Sequence, residues 1–381
     1  MDIFSSSGTM ENTTIPSFSS MTDPDDDQTI LEVIPVITSA LDGGWSGKIG
    51  TTAILLLGTF GNVMTIIILQ RLRSGWSAMN VYLTALALSD TAMLYSGALP
   101  MWTRKVLGYD AYASHVLVCK LGMYVMTTTA TLSAWLLVSL TAQRAASVVW
   151  PHRVNVICTR HKSIITIVII TTVCSLLQSH TVYGFDLVRF GNGTTERCTF
   201  GSADYQKFWL SFWVDVNLFI YSVLPCVCLI VSNVVLGWKL TVAMKEAKEK
   251  FSTGRQDQTN SRRKKASSVT LTIIIVSIAF LLITVPLTIY NTFFHGYASS
   301  AIDYFLYDFL FVFGMSNFAW NFYLYCLTGS KFRREFRKVI LGCCVPVTLE
   351  AGSEPVTETS QVSQGGTSGQ EKRDAESNND F

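Results

Sequence analysis

The amino-acid sequence predicts an all-α membrane protein, a seven-transmembrane helix bundle followed by a short amphipathic eighth helix. Three observations favour this fold class. Only 15% of the 381 residues are charged, whereas a soluble domain carries about 25%. Seven predominantly apolar runs are each long enough to cross a bilayer, which takes roughly 20 residues. The basic residues collect in alternate loops, which is the pattern that orients membrane proteins.

The seven apolar runs contain very few charges: Asp90 lies in the second and Asp215 in the fifth. One such run could be a buried helix of a large soluble protein. Seven of them, separated by short polar stretches, indicate a membrane protein. The predicted spans cover residues 49–69, 79–102, 121–143, 163–185, 208–238, 266–294 and 309–330.

The loop charges predict the orientation. Of the 29 Lys and Arg residues, 22 lie on the side of the membrane that holds the C-terminus. The positive-inside rule makes that side cytoplasmic and the N-terminus extracellular. N-glycosylation sequons at Asn12 and Asn192 fall on the outer side and agree. We therefore expect a multi-pass plasma-membrane protein, and one without a cleavable signal peptide, since no basic start and apolar run precede the first span.

The bundle is predicted to cover residues 47–328, after a disordered extracellular tail at residues 1–46. This tail carries an acidic run at residues 23–27. An acidic segment with little apolar content has too few groups to bury to fold on its own.

Two further segments follow the bundle. In residues 329–344, apolar side chains recur at helical spacing among basic ones, which predicts an amphipathic helix lying on the membrane. Cys343 and Cys344 at its end are candidates for palmitoylation. Residues 345–381 are polar and rich in Ser and Thr, which predicts a disordered cytoplasmic tail that becomes phosphorylated.

Two cysteines lie on the predicted outer side. Cys119 opens the third span and Cys198 lies in the second outer loop. Both face an oxidising compartment, where a disulfide between them would persist and would hold the loop over the third helix. Two free thiols are the alternative. Cysteines within the spans are interpreted as packing residues.

Arg144 follows Cys119 by 25 residues, which is about 37 Å of helix, so one helix carries a cysteine at its outer mouth and an arginine at its inner mouth. Further motifs occur at Gly61-Asn62-Val63, Leu86-Ala87-Leu88-Ser89-Asp90, Pro225, Phe280 with Pro286, and Asn321-Phe322-Tyr323-Leu324-Tyr325. In their order and spacing these motifs resemble the rhodopsin-like (class A) G-protein-coupled receptors. The resemblance covers residues 47–344 and includes the start of the family's eighth helix at residues 329–333.

The resemblance implies a receptor whose coupling to a heterotrimeric G protein is switched by four residues, Arg144, Tyr325, Pro286 and Phe280. Several positions depart from the family's motifs: they read Gln143-Arg144-Ala145 for Asp-Arg-Tyr, Ile283-Thr284-Val285-Pro286 for Cys-Trp-x-Pro, Asn321-Phe322-Tyr323-Leu324-Tyr325 for Asn-Pro-x-x-Tyr, and Asn233 for a tyrosine. These departures leave open a receptor that is constitutively active or does not signal.

Asp90 is a carboxylate at mid-membrane, where such groups are costly and usually face the bundle interior. By resemblance, it would bind an allosteric sodium ion together with Ser133, Asn317 and Asn321, whose oxygens suit a hard cation. The alternative is a water-filled hydrogen-bond network around a protonated aspartate. No other cofactor is expected.

The resemblance also bears on the ligand. Met126 occupies the position of the aspartate that binds amines, and Met315 that of the lysine that binds retinal, so neither ligand is expected. With Met126, polar and aromatic residues in the outer turns of the second, sixth and seventh spans are predicted to line the pocket; these are Trp102, Tyr290, Asn291, Phe294, Tyr304, Tyr307, Asp308 and Phe311. The alternative for any one aromatic residue is an interfacial belt.

We expect a receptor that binds an extracellular neuropeptide and activates a G protein, with arrestin and receptor kinases acting on its C-terminal tail. The acidic outer tail and the acidic group in the mouth favour a basic peptide with a hydrophobic end. Residues 80–87 resemble invertebrate neuropeptide receptors of the FMRFamide-receptor-like kind. A lipid or metabolite receptor remains an alternative. A seven-helix transporter is a further alternative, but it would need paired intramembrane charges. We expect neither an enzyme nor a protein that binds nucleic acid.

Overall fold

The computed structural model describes residues 46–72, 77–190, 195–252, 259–293 and 301–344. Long helices account for most of these residues. Six of them are uninterrupted: α1 (Ser46–Arg71), α3 (Val116–Val149), α4 (Arg160–Gln178), α6 (Thr259–Phe293), α7 (Ala301–Thr328) and α8 (Ser330–Cys344).

Helices α2 and α5 are interrupted by π-helical turns. In α2, the α-helical segments Ala78–Met93 and Leu99–Trp102 alternate with π turns at Leu94–Ala98 and Thr103–Leu107. In α5, the α-helical segments Ala203–Phe208, Val214–Leu218 and Leu224–Ser252 are separated by π turns at Trp209–Trp213 and Phe219–Val223.

A proline follows a π turn in both helices. Pro100 has no N–H to donate to the Ser96 carbonyl, four residues earlier, and Pro225 has none to continue the π-helical pattern to the Ile220 carbonyl, five residues earlier. Side chains from outside the two helices replace these bonds. The Tyr112 hydroxyl donates to the Ser96 carbonyl, and the Trp135 indole donates to the Ile220 carbonyl over 3.1 Å. The freed carbonyls are thus satisfied, as groups away from water must be.

The helices form one bundle in which α3 is central. It contacts α2, α4, α5 and α6, while α7 packs between α1 and α6. Within the described residues, five helical stretches are long and apolar enough to cross a membrane: Gly47–Arg71, Val116–Val149, Arg160–Gly184, Ala203–Val242 and Thr270–Tyr290. Helices α2 and α7 complete the bundle, and their middles contain the polar residues Asp90 and Asn321.

Four of the seven predicted spans lie within these helices. The other three extend beyond them at their C-terminal ends: the fourth passes Gln178, the sixth ends at Phe294, outside the described residues, and the seventh passes Thr328. Several helices continue beyond the apolar run; α5, for example, ends at Ser252 among charged residues. Apolar composition indicates only the part of a helix that can lie in the lipid bilayer, whereas the backbone hydrogen bonds of the helix continue into polar sequence. The fourth span was predicted to end at Phe185, but that residue begins a strand.

The strand belongs to an antiparallel hairpin that the all-α prediction omits. Strand β1 (Phe185–Phe190) pairs with β2 (Thr195–Phe200), with Phe185 opposite Phe200 and Leu187 opposite Cys198. A disulfide joins Cys198 to Cys119 at the start of α3, and Arg144 lies near the other end of the same helix. We call the two ends of the bundle the disulfide end and the arginine end.

Several predicted features fall outside the described residues. These are the sequons at Asn12 and Asn192, the pocket residue Phe294, and the tails before residue 46 and after residue 344. For four other residues the structure describes the helical backbone but not the side chain; these are Asn291, Tyr304, Cys343 and Cys344.

Candidate functional site

The β-hairpin is fixed to α3 by a covalent bond and an ion pair. Cys119, fully buried, is linked to Cys198 on β2. Next to it, the Lys120 ammonium lies 3.0 Å from the Asp186 carboxylate on β1. Hydrogen bonding to Lys120 lowers the pKa of Asp186 below its ordinary value. The hairpin therefore has a defined position at the disulfide end.

A cavity of about 400 Å³ opens at the arginine end and another of about 250 Å³ at the disulfide end. The second one, which we call the outer cavity, lies between α2, α3, α7 and the hairpin. Three of its lining residues were predicted from the sequence, namely Met126, Tyr307 and Phe311. A fourth predicted residue, Tyr290, packs its ring 6.0 Å from the ring of Tyr307.

Two other predicted pocket residues, Trp102 and Asp308, are not among the residues that line the outer cavity. The Trp102 indole donates to the Thr52 hydroxyl of α1 over 2.8 Å. The Asp308 carboxylate forms an ion pair with Lys105 of α2, and its side chain is only 8% exposed. For Trp102, the π turn at Leu94–Ala98 changes the rotation of the residues that follow it in α2.

The sequence reasoning missed the polar residues of the outer cavity. Its lining includes Arg104 from α2, Asp110 from the following loop, and Glu196 and Arg197 from β2. A signal for the two arginines was present, because only seven Lys and Arg residues lie on the predicted outer side. Basic residues that run against the loop-charge bias are candidates for a specific role.

Tyr112 forms the wall of the outer cavity between α2 and α3. Its hydroxyl bonds to Ser96, and its backbone N–H donates to the Asp110 carboxylate over 3.0 Å. The Tyr112 ring lies against Gly122 of α3 so closely that a Cβ at this glycine would come within 2.0 Å of the ring. Only glycine therefore leaves room for Tyr112 in this position.

The Lys105–Asp308 ion pair should stabilise the receptor measurably. Asp308→Ala removes the partner of a half-buried ammonium, which we expect to cost about 1–2 kcal/mol, less than for a fully buried pair because Lys105 can reach water. Thermal unfolding of the purified receptor measures the effect. Arg189 and Glu196, which are 2.7 Å apart and whose side chains are 73% and 38% exposed, serve as the control pair.

In a double-mutant cycle, Lys105→Ala with Asp308→Ala should be less destabilising than the sum of the two single variants. Arg189→Ala and Glu196→Ala should be nearly additive. Additivity at Lys105 and Asp308 would mean that the pair contributes nothing beyond the packing of each side chain.

A polar network occupies the middle of the bundle around Asp90, which is 1% exposed. The Ser133 hydroxyl donates to one carboxylate oxygen over 2.8 Å, and the Asn321 amide donates to the other over 2.7 Å. The Ser89 and Ser133 hydroxyls are 2.9 Å apart. Asn317 is half-buried one turn before Asn321.

The donor set of this network fits a small hard cation in part. The Asp90 carboxylate and the Ser89 and Ser133 hydroxyls supply oxygen ligands of the right kind. Asn321, however, presents its NH₂ group to the carboxylate rather than its oxygen. A cation would have to displace that amide or use Asn317 in its place.

At the arginine end, Arg144 contacts a hydroxyl of α6. Its Nε donates to the Thr270 hydroxyl of α6 over 3.3 Å. The neighbouring Gln143 is directed to α4, where its amide donates to the Ser163 hydroxyl over 2.9 Å. Both Arg144 and Gln143 line the cavity of about 400 Å³ at this end, together with Tyr325.

Two of the predicted switch residues belong to the apolar core at this end of the bundle. Phe280 of α6 and Tyr325 of α7 are buried in one cluster, and Pro286 lies within α6. Phe322, which occupies the position of the family's proline, packs its ring 5.7 Å from the ring of Phe332 in α8. The residue thus contributes to packing between α7 and α8.

Comparison with known proteins identifies the family. The family described as "7 transmembrane receptor (rhodopsin family)" matches residues 61–325. Growth hormone secretagogue receptor type 1 of Sus scrofa is 25% identical over 280 residues, which are 72% of this chain and 73% of that protein. Neuromedin-U receptor 2 of Mus musculus is 21% identical over 299 residues, 76% of this chain and 74% of that protein.

An invertebrate receptor is among the relatives. The FMRFamide peptide receptor frpr-18 of Caenorhabditis elegans is 23% identical over 305 residues, 77% of this chain and 69% of that protein. The family match extends from the motif at Gly61 to Tyr325. It therefore includes the central helix with Cys119 and Arg144, and it includes the helices that form the main walls of both cavities. The resemblance drawn from the sequence is confirmed, and this chain belongs to the rhodopsin family of seven-transmembrane receptors.

Proposed function

We propose that this receptor binds an extracellular peptide in the outer cavity and activates a heterotrimeric G protein through the cavity at the arginine end. The observation that carries the proposal is that two cavities lie at opposite ends of one bundle and share α3 as a wall. One of the three relatives is named as an FMRFamide peptide receptor, one as a growth hormone secretagogue receptor and one as a neuromedin-U receptor. The loop charges support an extracellular N-terminus and a place in the plasma membrane.

The composition of the outer cavity suits the hydrophobic end of a peptide. Its deeper wall is apolar and includes Met123, Met126 and Phe311, while its rim is polar. The preference for a basic peptide relied partly on Asp308, which the structure pairs with Lys105. The described rim contains both charge signs, so the hydrophobic anchor rather than the net charge is the defining feature of the proposed ligand.

Screening a neuropeptide library by calcium signals in transfected cells tests this function, and Met126→Trp in the outer cavity tests the site. Filling the cavity should weaken the response to an active peptide by about tenfold or more, equivalent to about 1.4 kcal/mol. Leu282→Trp, at an exposed position on α6, is the matched control. Responses to lipids or metabolites but not to any peptide would establish the alternative ligand class.

We also propose that sodium binds at Asp90 and lowers agonist affinity. Sodium would favour the inactive state if it binds that state more tightly. Replacing an organic cation by sodium at constant ionic strength should lower the affinity of a peptide agonist by about fivefold. Asp90→Asn should abolish the effect, while Asp215→Asn, at an exposed position of α5, should preserve it. Sodium-independent affinity in the unmodified receptor would leave only a hydrogen-bond network.

The remaining proposals concern modification and turnover. Glycosylation at Asn12 and Asn192 is consistent with the proposed outer side, and palmitoylation at Cys343 and Cys344 would add acyl chains next to α8. Receptor kinases would phosphorylate the Ser- and Thr-rich residues 345–381 and thereby create an acidic surface for arrestin.

A further inference from the structure

One acidic side chain of α5 lies on the lipid-facing surface of the bundle. Asp215 belongs to the α-helical segment Val214–Leu218 and is exposed, yet it lies inside the membrane-spanning stretch Ala203–Val242. It is seven residues inside the predicted apolar run 208–238, which is about 10 Å along the helix axis. Acidic residues in a membrane span are costly and almost always face the bundle interior or a water-filled cavity. Asp215 is an exception, because it lines neither of the two cavities at the ends of the bundle.

The rotation of α5 is fixed by its inward side. The centre of the Trp213 ring lies 4.1 Å from that of His180, just after α4, and the Asn217 side-chain oxygen accepts from the Gln178 amide over 3.3 Å. Trp213 and Asn217 are four positions apart and therefore share one side of the helix. Asp215 is two positions from each of them, a rotation of about 200°. Its carboxylate is therefore held on the outward side of α5.

The Asp215 carboxylate has no partner among the described residues, where it forms no ion pair or side-chain hydrogen bond. The nearest basic residue along α5 is Lys207, eight positions away. This is about 12 Å along the axis, whereas side chains on one helix pair over three or four positions. On the outward side, Asp215 lies about one turn from Phe212 and one turn from Phe219, which are 55% and 54% exposed. We call these three residues the Asp215 face.

We propose that the Asp215 face is a docking site for the transmembrane helix of another membrane protein that carries a Lys or Arg at the same depth. The argument is charge complementarity. A cation from the partner helix would neutralise the carboxylate, and the attraction is stronger in lipid than in water because the dielectric constant is lower. The two phenylalanine rings would pack against the partner helix on either side of the ion pair and keep it apart from water.

A second copy of this chain suits the face less well. A twofold axis would place Asp215 of one copy against Asp215 of the other, and two carboxylates at short distance repel each other. Lys207 of the second copy would again lie about 12 Å along the helix from Asp215. The charges of the face therefore favour a partner of a different sequence.

Association of a synthetic single-span helix with the full-length receptor in phosphatidylcholine nanodiscs tests the proposal. The probe is a fluorescent peptide of about 20 Leu and Ala residues with one Lys about 10 Å from the end of its apolar stretch. The reference probe has Leu in place of Lys. We expect energy transfer to a labelled receptor to show about tenfold tighter association of the Lys probe. The measurement needs neither an agonist nor a G protein, so it is independent of the proposed function.

Variants of α5 locate the site. Asp215→Leu should bring the affinities of the two probes to within about twofold of each other, while Asp215→Glu, which keeps the charge, should retain most of the preference. Asp204→Leu is the matched control, because it makes the same replacement at an exposed acid in the first turn of α5. It should retain the full preference. Equal association of both probes with the unmodified receptor, or an unchanged preference in Asp215→Leu, would overturn the proposal.

Thermal unfolding of the receptor without a probe distinguishes a docking site from a structural role. Asp215→Leu removes an unpaired carboxylate from an apolar surface, so it should leave the unfolding midpoint unchanged or raise it. A lower midpoint would give Asp215 a partner within its own chain and overturn the docking site. Energy transfer between two receptor copies that is lost in Asp215→Leu, without a preference for the Lys probe, would assign the face to a second copy and overturn the proposed partner.

Discussion

Replacing Cys119 by alanine is expected to remove most of the receptor from the cell surface. The disulfide closes a loop between residues 79 positions apart, and losing a native disulfide typically costs about 2–5 kcal/mol. The same bond holds the hairpin that contributes Arg197 and Glu196 to the outer cavity. Antibody labelling of an N-terminal tag on intact cells, compared with permeabilised cells, measures the loss.

Cys174→Ala is the matched control, because Cys174 is also buried but is a free thiol in α4. It should retain most of the surface receptor. The variant with both Cys119→Ala and Cys198→Ala should be no worse than Cys119→Ala alone, since the two residues act as one bond. If either single variant reached the surface normally, the loop would be held by its packing and by the Lys120–Asp186 ion pair.

Changing Gln143 to glutamate is expected to lower basal signalling by about fivefold. The reason is that a partly solvated ion pair between this glutamate and Arg144 would stabilise the resting state by about 1 kcal/mol. Arg144 is at present restrained by the Thr270 hydroxyl, and Gln143 is bonded to Ser163. A carboxylate at position 143 would attract the guanidinium and stabilise the resting state. Agonist-free accumulation of second messengers at matched surface expression measures the change.

Gln143→Met separates charge from the hydrogen bond. It removes the bond to Ser163 without adding a carboxylate, so it should not lower basal signalling. Arg144→Ala should strongly reduce agonist-driven coupling while peptide binding persists, because Arg144 lines the cavity of the arginine end. Unchanged basal signalling in Gln143→Glu would place the main restraint elsewhere, for example at the Arg144–Thr270 contact.

The features that the sequence predicted well are those that depend on regular spacing. Apolar runs and loop charges are enough to define the bundle, and helical rise alone places Cys119 and Arg144 at opposite ends of α3. Asp90, Ser133 and Asn321 could be grouped because family motifs put them at known positions. The structure adds their hydrogen bonds and one further group, the Ser89 hydroxyl, which lies 2.9 Å from that of Ser133.

The features that sequence reasoning missed depend on contacts between distant segments. The Tyr112 hydroxyl bonds to the Ser96 carbonyl only because Pro100 leaves that carbonyl without its usual donor. The Lys105–Asp308 pair joins α2 to α7 across 203 positions of sequence. The first residue of strand β1 was assigned to the preceding helix because Phe185 continues an apolar run, and nothing local shows where hydrogen bonding changes from helix to strand.

The π turn at Leu94–Ala98 makes chain length, as well as side-chain chemistry, a constraint on α2. A π turn contains one residue more than the α-helical turn it replaces, and one residue corresponds to a rotation of about 100°. In a relative whose second helix is uninterrupted, the residues beyond this point face other directions. An alignment without a gap would therefore match Trp102 and Arg104 to residues that do not occupy the same place in the bundle. Deleting one residue within this turn would rearrange the outer cavity more than most substitutions in its lining, since every side chain after Ala98 would turn together.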